Sequence, residues 1–174
     1  MDPDLTIGPA SPRDAGPIAQ LAASSIERGL PRRWSAARVR RALARPDHLC
    51  VVAHSRGALA GFAIAEINDR ATHLALFAVA PGLRRAGLGS RLLSWVIDAS
   101  LAAGKRALTL EVRASAEGAR AFYAHAGFQR VAVRRGYYAG REDAIVMRRA
   151  LGREVEDDVG LEELWGEGWS ERVR

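Results

Sequence analysis

The chain has 174 residues, 48% hydrophobic and 26% charged, which suffices for the core of one domain and excludes an intrinsically disordered chain. Its formal net charge is +6, and the lone Cys50 excludes an intramolecular disulfide and a cysteine-rich zinc site and fits a reducing compartment. The start is acidic and broken by prolines, unlike a signal peptide, and no apolar run approaches the roughly 18 residues of a membrane span, so a cytoplasmic protein with no membrane partner is expected.

Leu5 to Ile7 reads as a short strand ended by Gly8-Pro9. Ser11 or Asp14 caps a helix through Ile18, Leu21 and Ile26, with Pro12 in its first turn. Residues 28–33 hold Gly29 and Pro31 and read as irregular, and Ser35 then opens a second helix, with Val39 and Leu43 on one face, that stops before Pro46. Three strands follow as an antiparallel meander: a buried-type run over 48–54, an alternating run over 58–67, and the most continuous apolar run over 73–80. A basic, glycine-punctuated loop at 84–89 leads into a helix over about 88–103, where Leu88, Leu92 and Val96 form one apolar row and Leu93, Ile97 and Leu101 a second. A strand over 106–113, a helix through Tyr123 to His125 closed by Gly127, and strands over 128–134 and 143–147 complete the pattern. The strand–helix–strand unit in the middle calls for a parallel pair, so the fold class is α/β, a mixed central sheet with helices on both faces.

Composition changes at Gly152. Residues 152–174 hold eight acids against three arginines, a net of −5, while residues 1–151 hold 23 basic and 12 acidic side chains, a net of +11. Residues 1–151 are therefore taken as one domain and 152–174 as an acidic tail, which could dock on the basic body through Trp165 and Trp169 or simply solubilise it. Lys105 is the only lysine, so the basic charge is arginine. It suits a polyanionic or phosphorylated partner, although an arginine- and alanine-rich coding bias gives the same composition.

The loop Arg84-x-x-Gly87-x-Gly89 lies between a buried strand and a helix start. Unpaired N–H groups and the positive end of the helix dipole make that junction a place for pyrophosphate, with glycine where the phosphate nears the backbone. It is neither a Rossmann fingerprint nor a P-loop. A tight left-handed turn before a helix gives the same pattern, and the loop alone does not choose between them.

The residues that follow do choose. Leu110-Glu111-Val112-Arg113-Ala114-Ser115, Phe122-Tyr123, Gly127-Phe128, Arg134-Arg135-Gly136-Tyr137-Tyr138 and Arg141-Glu142-Asp143-Ala144-Ile145-Val146-Met147, read in order with the loop, resemble the GCN5-related N-acetyltransferases (GNAT). Within that family they are most similar to the bacterial ribosomal-protein-alanine N-acetyltransferases, the RimI type. The resemblance covers about residues 73–150, is thin before them and does not extend to the tail. It implies a GNAT fold, acetyl-CoA as co-substrate, no metal, and a protein N-terminus, that of a ribosomal protein, as acceptor.

By the same resemblance, backbone groups of Phe77, Ala78 and Val79 would pair with the pantetheine arm, and Arg85, Ala86, Gly87, Leu88, Gly89 and Ser90 would wrap the pyrophosphate. Glu111 stands at the general-base position and Tyr123 at the general-acid position. Tyr137 and Tyr138, with the arginines before them, would shape the acceptor site. Two departures stand out: Ala116 where the family has an Asn that contacts the cofactor, and Leu76 where the ribosomal enzymes favour Asn.

Strand alternation sets Glu111 opposite the face of Leu108, Leu110 and Val112, with Arg106 or Arg113 as possible ion-pair partners. On the following helix the 100° step would let Phe122 face the core while the Tyr123 phenol reaches a thiol. His48, His54, His73 and His125 lack metal-ligand spacing and read as structural or exposed, and Cys50 as inert. An α-amine, with a pKa near 7.7–8.0 against about 10.4 for Lys, suits a carboxylate base better. A GNAT enzyme acting on a small amine or an internal Lys, and a non-catalytic acyl-CoA or RNA binding module, are the alternatives. The matched Glu111 and Tyr123 weigh against the silent module, and without an aromatic-basic stripe nucleic acid is not expected as substrate.

Overall fold

In the computed structural model, which describes residues 4–152, the elements follow the expected order. They are β1 (Thr6–Pro9), α1 (Ala15–Ser25), α2 (Ala36–Leu43), β2 (His48–Ser55), β3 (Ala58–Ile67), β4 (Ala71–Val79), α3 (Leu88–Ala102), β5 (Ala107–Arg113), α4 (Glu117–His125), β6 (Gln129–Tyr138) and β7 (Glu142–Ala150). The strands form a mixed sheet in the order β1-β2-β3-β4-β5-β7-β6. Neighbours β4 and β5 are linked through α3, the crossover that a parallel pair requires. The acidic tail, with Trp165 and Trp169, lies outside the described residues. No helix among the described residues is long and apolar enough to cross a membrane.

The chain divides into two compact units, residues up to 66 with 74–99, and residues 67–73 with those from 100 onward. In the first unit Asp14 stands at the N-cap of α1 without a side-chain bond to the helix, and the two cap candidates bond to each other instead. Ser11 donates its backbone N–H and its hydroxyl to Asp14 Oδ2, at 2.7 and 2.8 Å, around a short 3-10 turn that runs into the helix. The buried Asp14 also meets His54 Nε2 at 3.0 Å through Oδ1. Burial raises its pKa, but the Ser11 and His54 contacts outweigh that and the net shift is downward. Ser35 caps α2 as its sequence position predicts, accepting the Arg38 N–H. Between the helices, buried Glu27 accepts the N–H groups of Arg33 and Trp34 and so ties down the irregular segment.

Ile18 and Ala22 from α1 and Val39 and Ala42 from α2 pack with Val52, Phe62, Ile64, Leu76 and Ala78 of the sheet. Each fully buried Phe or Ile contributes about 1.5–3 kcal/mol. The alternation expected along β3 does not hold, because Ala60 and Phe62 to Ala65 are all buried and the strand is covered on both faces. Small side chains on one face mimic alternation while leaving room for close packing. Gly61 marks the closest approach: a Cβ there would lie 2.9 Å from the Ala78 carbonyl oxygen and 2.9 Å from Leu92 Cδ1. Along α3, Leu88, Leu92, Leu93, Val96 and Ile97 are buried as the two rows predict, but Leu101 is exposed, so the second row stops short.

In the second unit β7 is the central partner. It pairs antiparallel with β5 from Ala107↔Ala150 to Arg113↔Ala144, and with β6 on its other side. Both hairpin strands run longer than the sequence suggests. Their register slips between Arg130 and Ala132 and again between Arg134 and Tyr138, where Gly136, at φ +61°, donates its N–H to Asp143 Oδ1 at 2.8 Å. Such bulges kink a strand and re-aim its side chains. Ser115 does not cap α4. Its N–H donates to Glu142 Oε1, and Ala116 occupies the N-cap without a side-chain bond.

Gly61→Ala is expected to destabilise the protein by about 1–3 kcal/mol, because one contact of the new methyl is a backbone oxygen. Gly118→Ala in α4, where a Cβ meets nothing within 4 Å, is expected to stabilise by about 0.4–1 kcal/mol. Urea unfolding of the two variants checks both signs.

Candidate functional site

Alternation along β5 puts Thr109, Glu111 and Arg113 on one face and Leu108, Leu110 and Val112 on the other, as expected. The environment of that polar face differs from the expectation. Thr109 is buried and the Glu111 side chain is only 6% exposed, so the carboxylate lies nearly out of water. Of the two arginines expected beside it, Arg113 pairs with Glu142 at 2.7 Å. Glu111 Oε1 accepts from Arg134 Nη1 at 2.8 Å, and Oε2 lies 3.1 Å from His73 Nε2.

The register explains how Arg134 arrives. Arg113, Ala144 and Arg134 lie abreast across β5, β7 and β6, and Glu111, Val146 and Ala132 form the next row. Arg134 therefore reaches diagonally across β7 between Ala144 and Val146, and the small Ala144 and Ala132 beside it leave space for a long side chain. His73, at the start of β4, is held from its other side: its Nδ1 lies 3.1 Å from Thr109 Oγ1. Burial pushes the Glu111 pKa up, yet the hydrogen bonds and charges of His73 and Arg134 outweigh it and the net shift is downward. A carboxylate held ionised in a nearly dry setting can receive a proton and orient a cationic group.

Tyr123 reverses the expectation for α4. It is the buried ring of the Phe122-Tyr123 pair, while Phe122 is half-buried. Its ring packs edge-on to Phe122 and Phe128, with centroids 5.2 and 5.5 Å away, and burial pushes its phenol pKa up. Tyr137 is exposed and lies under the Arg134 guanidinium at 4.4 Å; Tyr138 meets Arg113 at 5.8 Å and Tyr137 edge-on at 5.0 Å. Tyr137 thus lies against the arginine that holds Glu111, and Tyr138 near the arginine that holds Glu142.

The candidate phosphate loop belongs to the first unit. Arg84, Arg85, Ala86 and Gly87 are exposed, Leu88 is buried, and Ser90 is exposed on the first turn of α3. Arg85 and Gly87 both have left-handed φ, +64° and +80°. A Cβ on Gly87 would point into open space, so the loop offers an uncovered backbone surface. The Arg91 N–H reaches back to the Gly87 carbonyl, and helix geometry turns the N–H groups before it outward. Arg84 braces the end of β4 by donating from Nε to the Val79 carbonyl at 3.0 Å. Among Phe77, Ala78 and Val79, Phe77 is half-buried and the other two are buried.

Of the other histidines, His54 serves Asp14, His48 meets Asp47 and Glu66, and His125 bonds the Ala121 carbonyl. Cys50 is partly buried, and burial pushes its thiol up to about 11, consistent with inertness. No three His, Cys, Asp or Glu side chains among the described residues gather as metal ligands. His73, Thr109 and Glu142 are the site neighbours that spacing did not reveal. The one available sign of His73 was a titratable side chain inside an otherwise apolar strand.

Arg134→Met is expected to cost about 3 kcal/mol near pH 7, because it removes the permanent partner of a buried charge. The folded pKa of Glu111 lies below its ordinary value of 4.5, so its stabilising effect is present above about pH 4.5 and is lost as pH falls through the lower folded value. The variant should show less of this acid sensitivity, because His73 still stands beside Oε2. Urea unfolding between pH 3 and 7 measures both effects.

The sequence model of the Acetyltransferase (GNAT) family matches residues 19–128. The chain is 46% identical over 95 residues to the ribosomal protein bS18-alanine N-acetyltransferase of Escherichia coli K12, across 52% of this chain and 64% of that protein. That match spans less than two thirds of the relative's length. The chain is 36% identical over 153 residues to the N-alpha-acetyltransferase RimI of Mycobacterium tuberculosis, covering 85% of this chain and 94% of that one. The crystal structure of the E. coli ribosomal-protein-S18-alanine N-acetyltransferase aligns at a TM-score of 0.75 with 31% identity, over 88% of this chain and 97% of the other. The family match over more than half of its residues, joined to a mixed α/β fold of the same kind, places the chain in the GNAT acetyltransferase family.

Proposed function

We propose that this chain transfers the acetyl group of acetyl-CoA to the N-terminal α-amine of a protein, the alanine that begins a small-subunit ribosomal protein. The observation that carries the acceptor is the similarity, over nearly the whole of both chains, to an N-alpha-acetyltransferase. The residues fit the co-substrate: the loop from Arg85 to Ser90, exposed at Arg85, Ala86, Gly87 and Ser90, has a Gly87 with open space where a side chain would stand, a place for a pyrophosphate against bare backbone. In this reading Arg85, Ala86, Gly87, Leu88, Gly89 and Ser90 hold the pyrophosphate, and backbone groups of Phe77, Ala78 and Val79 hold the pantetheine. When bound, acetyl-CoA supplies an acyl group activated as a thioester.

Glu111 is the base. An N-terminal amine near pKa 7.7–8.0 is roughly 10% neutral at pH 7, so removing its proton asks far less than removing that of a lysine. Tyr123 is the acid. Burial keeps its phenolic proton in place at neutral pH, and the same dry surroundings penalise a thiolate formed beside it, which favours handing that proton over. Tyr137 and Tyr138 line the approach of the acceptor.

Mass spectrometry of peptides incubated with acetyl-CoA tests the acceptor. A peptide with a free N-terminal alanine should be acetylated on its α-amine, and one with a blocked N-terminus and an internal Lys should not; the reverse would make this a lysine enzyme. Glu111→Gln is expected to lower kcat by about 10²–10⁴, and Tyr123→Phe to lower kcat while leaving the KM for acetyl-CoA unchanged. Gly87→Val, forced to adopt φ near +80°, should weaken acetyl-CoA binding by calorimetry.

A further inference from the structure

Residues 28–45, all in the first unit, hold seven arginines and no Asp or Glu, and every one of the seven is exposed. Arg45 pairs with Asp47, the next acid along the chain. Arg32, Arg33, Arg40 and Arg41 have no side-chain partner among the described residues. Helix electrostatics account for part of this pattern. Arg40 and Arg41 lie in the last turn of α2, where cations complement the negative end of its dipole. Arg32, Arg33 and Arg38 crowd the opposite, positive end, and the first turn holds no acid to offset them. Arg38 and Arg41, three residues apart, are like-charged neighbours that work against the helix.

These charges are held at fixed places. Buried Glu27 fixes the backbone at Arg33 and Trp34, Ser35 caps α2, and Val39 and Ala42 anchor the helix in the core. By the helical period Arg38, Arg40 and Arg41 fan across the side away from that anchor. Arg38 lies over the Trp34 indole, 4.5 Å from the ring centroid, an aromatic–basic pair that the sequence spacing did not announce. Arg38 is exposed, and a guanidinium plane is a surface on which a base can stack. Guanidinium also meets phosphate through two parallel N–H···O bonds. A membrane surface suits this face less well, because it calls for large apolar side chains pointing outward. Among the described residues the exposed ones are Leu101 and Tyr137, neither of them in this segment. An acidic peptide would leave the Trp34–Arg38 stack unused.

We propose that the outer face of α2, with the segment that leads into it, docks the phosphate backbone of single-stranded RNA, the Trp34–Arg38 stack receiving a base. RNA is a docking partner here and not the group acetylated, so the proposal stands apart from the acceptor and from the role of Glu111. Phosphate contacts carry no sequence information, so binding is expected without sequence preference and with a Kd of about 10⁻⁶–10⁻⁴ M at physiological salt. Each arginine that meets a phosphate releases condensed counterions, which makes the affinity fall steeply as salt rises. An arginine-rich composition alone would attract RNA from every side of the molecule, whereas a built face loses its affinity only when its own arginines are removed.

Fluorescence anisotropy of a labelled single-stranded RNA of mixed sequence measures binding to the full chain from about 50 to 200 mM salt. Two variants of equal net charge are compared with the wild type. One carries Arg32→Gln, Arg33→Gln, Arg40→Gln and Arg41→Gln; the other carries Arg13→Gln, Arg56→Gln, Arg106→Gln and Arg130→Gln, four exposed positions outside the segment. The first is expected to bind about 10–100-fold more weakly at the lowest salt and to flatten the slope of log affinity against log salt by about three. The second is expected to lose no more than about threefold, because its charges act only at screened distances. Equal losses in the two variants would reduce the effect to overall charge and overturn the proposal, as would a wild type that does not bind RNA at the lowest salt. Binding of phosphatidylserine vesicles or of an acidic peptide, with no binding of RNA, would give the face to another partner. A further measurement needs no variant: ultraviolet cross-linking of the same RNA to the wild type, mapped by mass spectrometry. Cross-links within residues 28–45, Trp34 among them, are expected, and cross-links confined to other segments would sink the assignment.

Discussion

A carboxylate brought almost out of water must find charge and hydrogen bonds or give up its ionisation, and the second unit is organised around meeting that demand at Glu111. Two donors approach from elements distant in sequence, His73 at the start of β4 and Arg134 late in β6. The approach of Arg134 sets terms for its surroundings. Strand β6 must run far enough beside β7 to bring it abreast of Arg113, Ala132 and Ala144 must be small, and the chain must then bulge before Tyr138. Gly136, with its left-handed φ and its bond to Asp143, makes that bulge possible. Glu142, bound to both Arg113 and Ser115, ties the far end of β7 to the turn before α4.

The first unit solves a different problem. Its loop before α3 must leave backbone uncovered, and the material that supports it is conventional core: α1 and α2 against one face of the sheet, and α3 leucines close against Gly61. Arg84 turns inward to the Val79 carbonyl, so of the two adjacent arginines one braces the strand end and the other, Arg85, remains exposed in the loop. The residues proposed to bind acetyl-CoA thus divide into a rigid strand end and an open turn.

Element order and the facing of Glu111 were legible because both depend on local rules: period 2 in strands, period 3.6 in helices, glycine and proline at breaks. What could not be read depended on register and roll. Arg134 lies 23 residues from Glu111, and only the pairing of β6 through β7 to β5 brings them together. A pair of charges at 134–135 also reads as the end of a strand, so β6 was expected to stop where it in fact continues to Tyr138. Phe122 and Tyr123 sit 100° apart on α4, and the helix roll, which neighbours such as Phe128 help set, buried the tyrosine. Along β3, alanines read as alternation although the strand is covered on both sides.

The two rims of the sheet carry a consequence of their own. One is β1, four residues long and closing on Pro9; the other is β6, interrupted by two register slips and bearing the exposed Arg130 and Arg135. Proline, bulges and outward charge are the means by which sheet margins refuse an added strand. Neither rim offers a flat ladder to a passing polypeptide, which protects the molecule from self-association when it is crowded and denies an extended partner any purchase along its length.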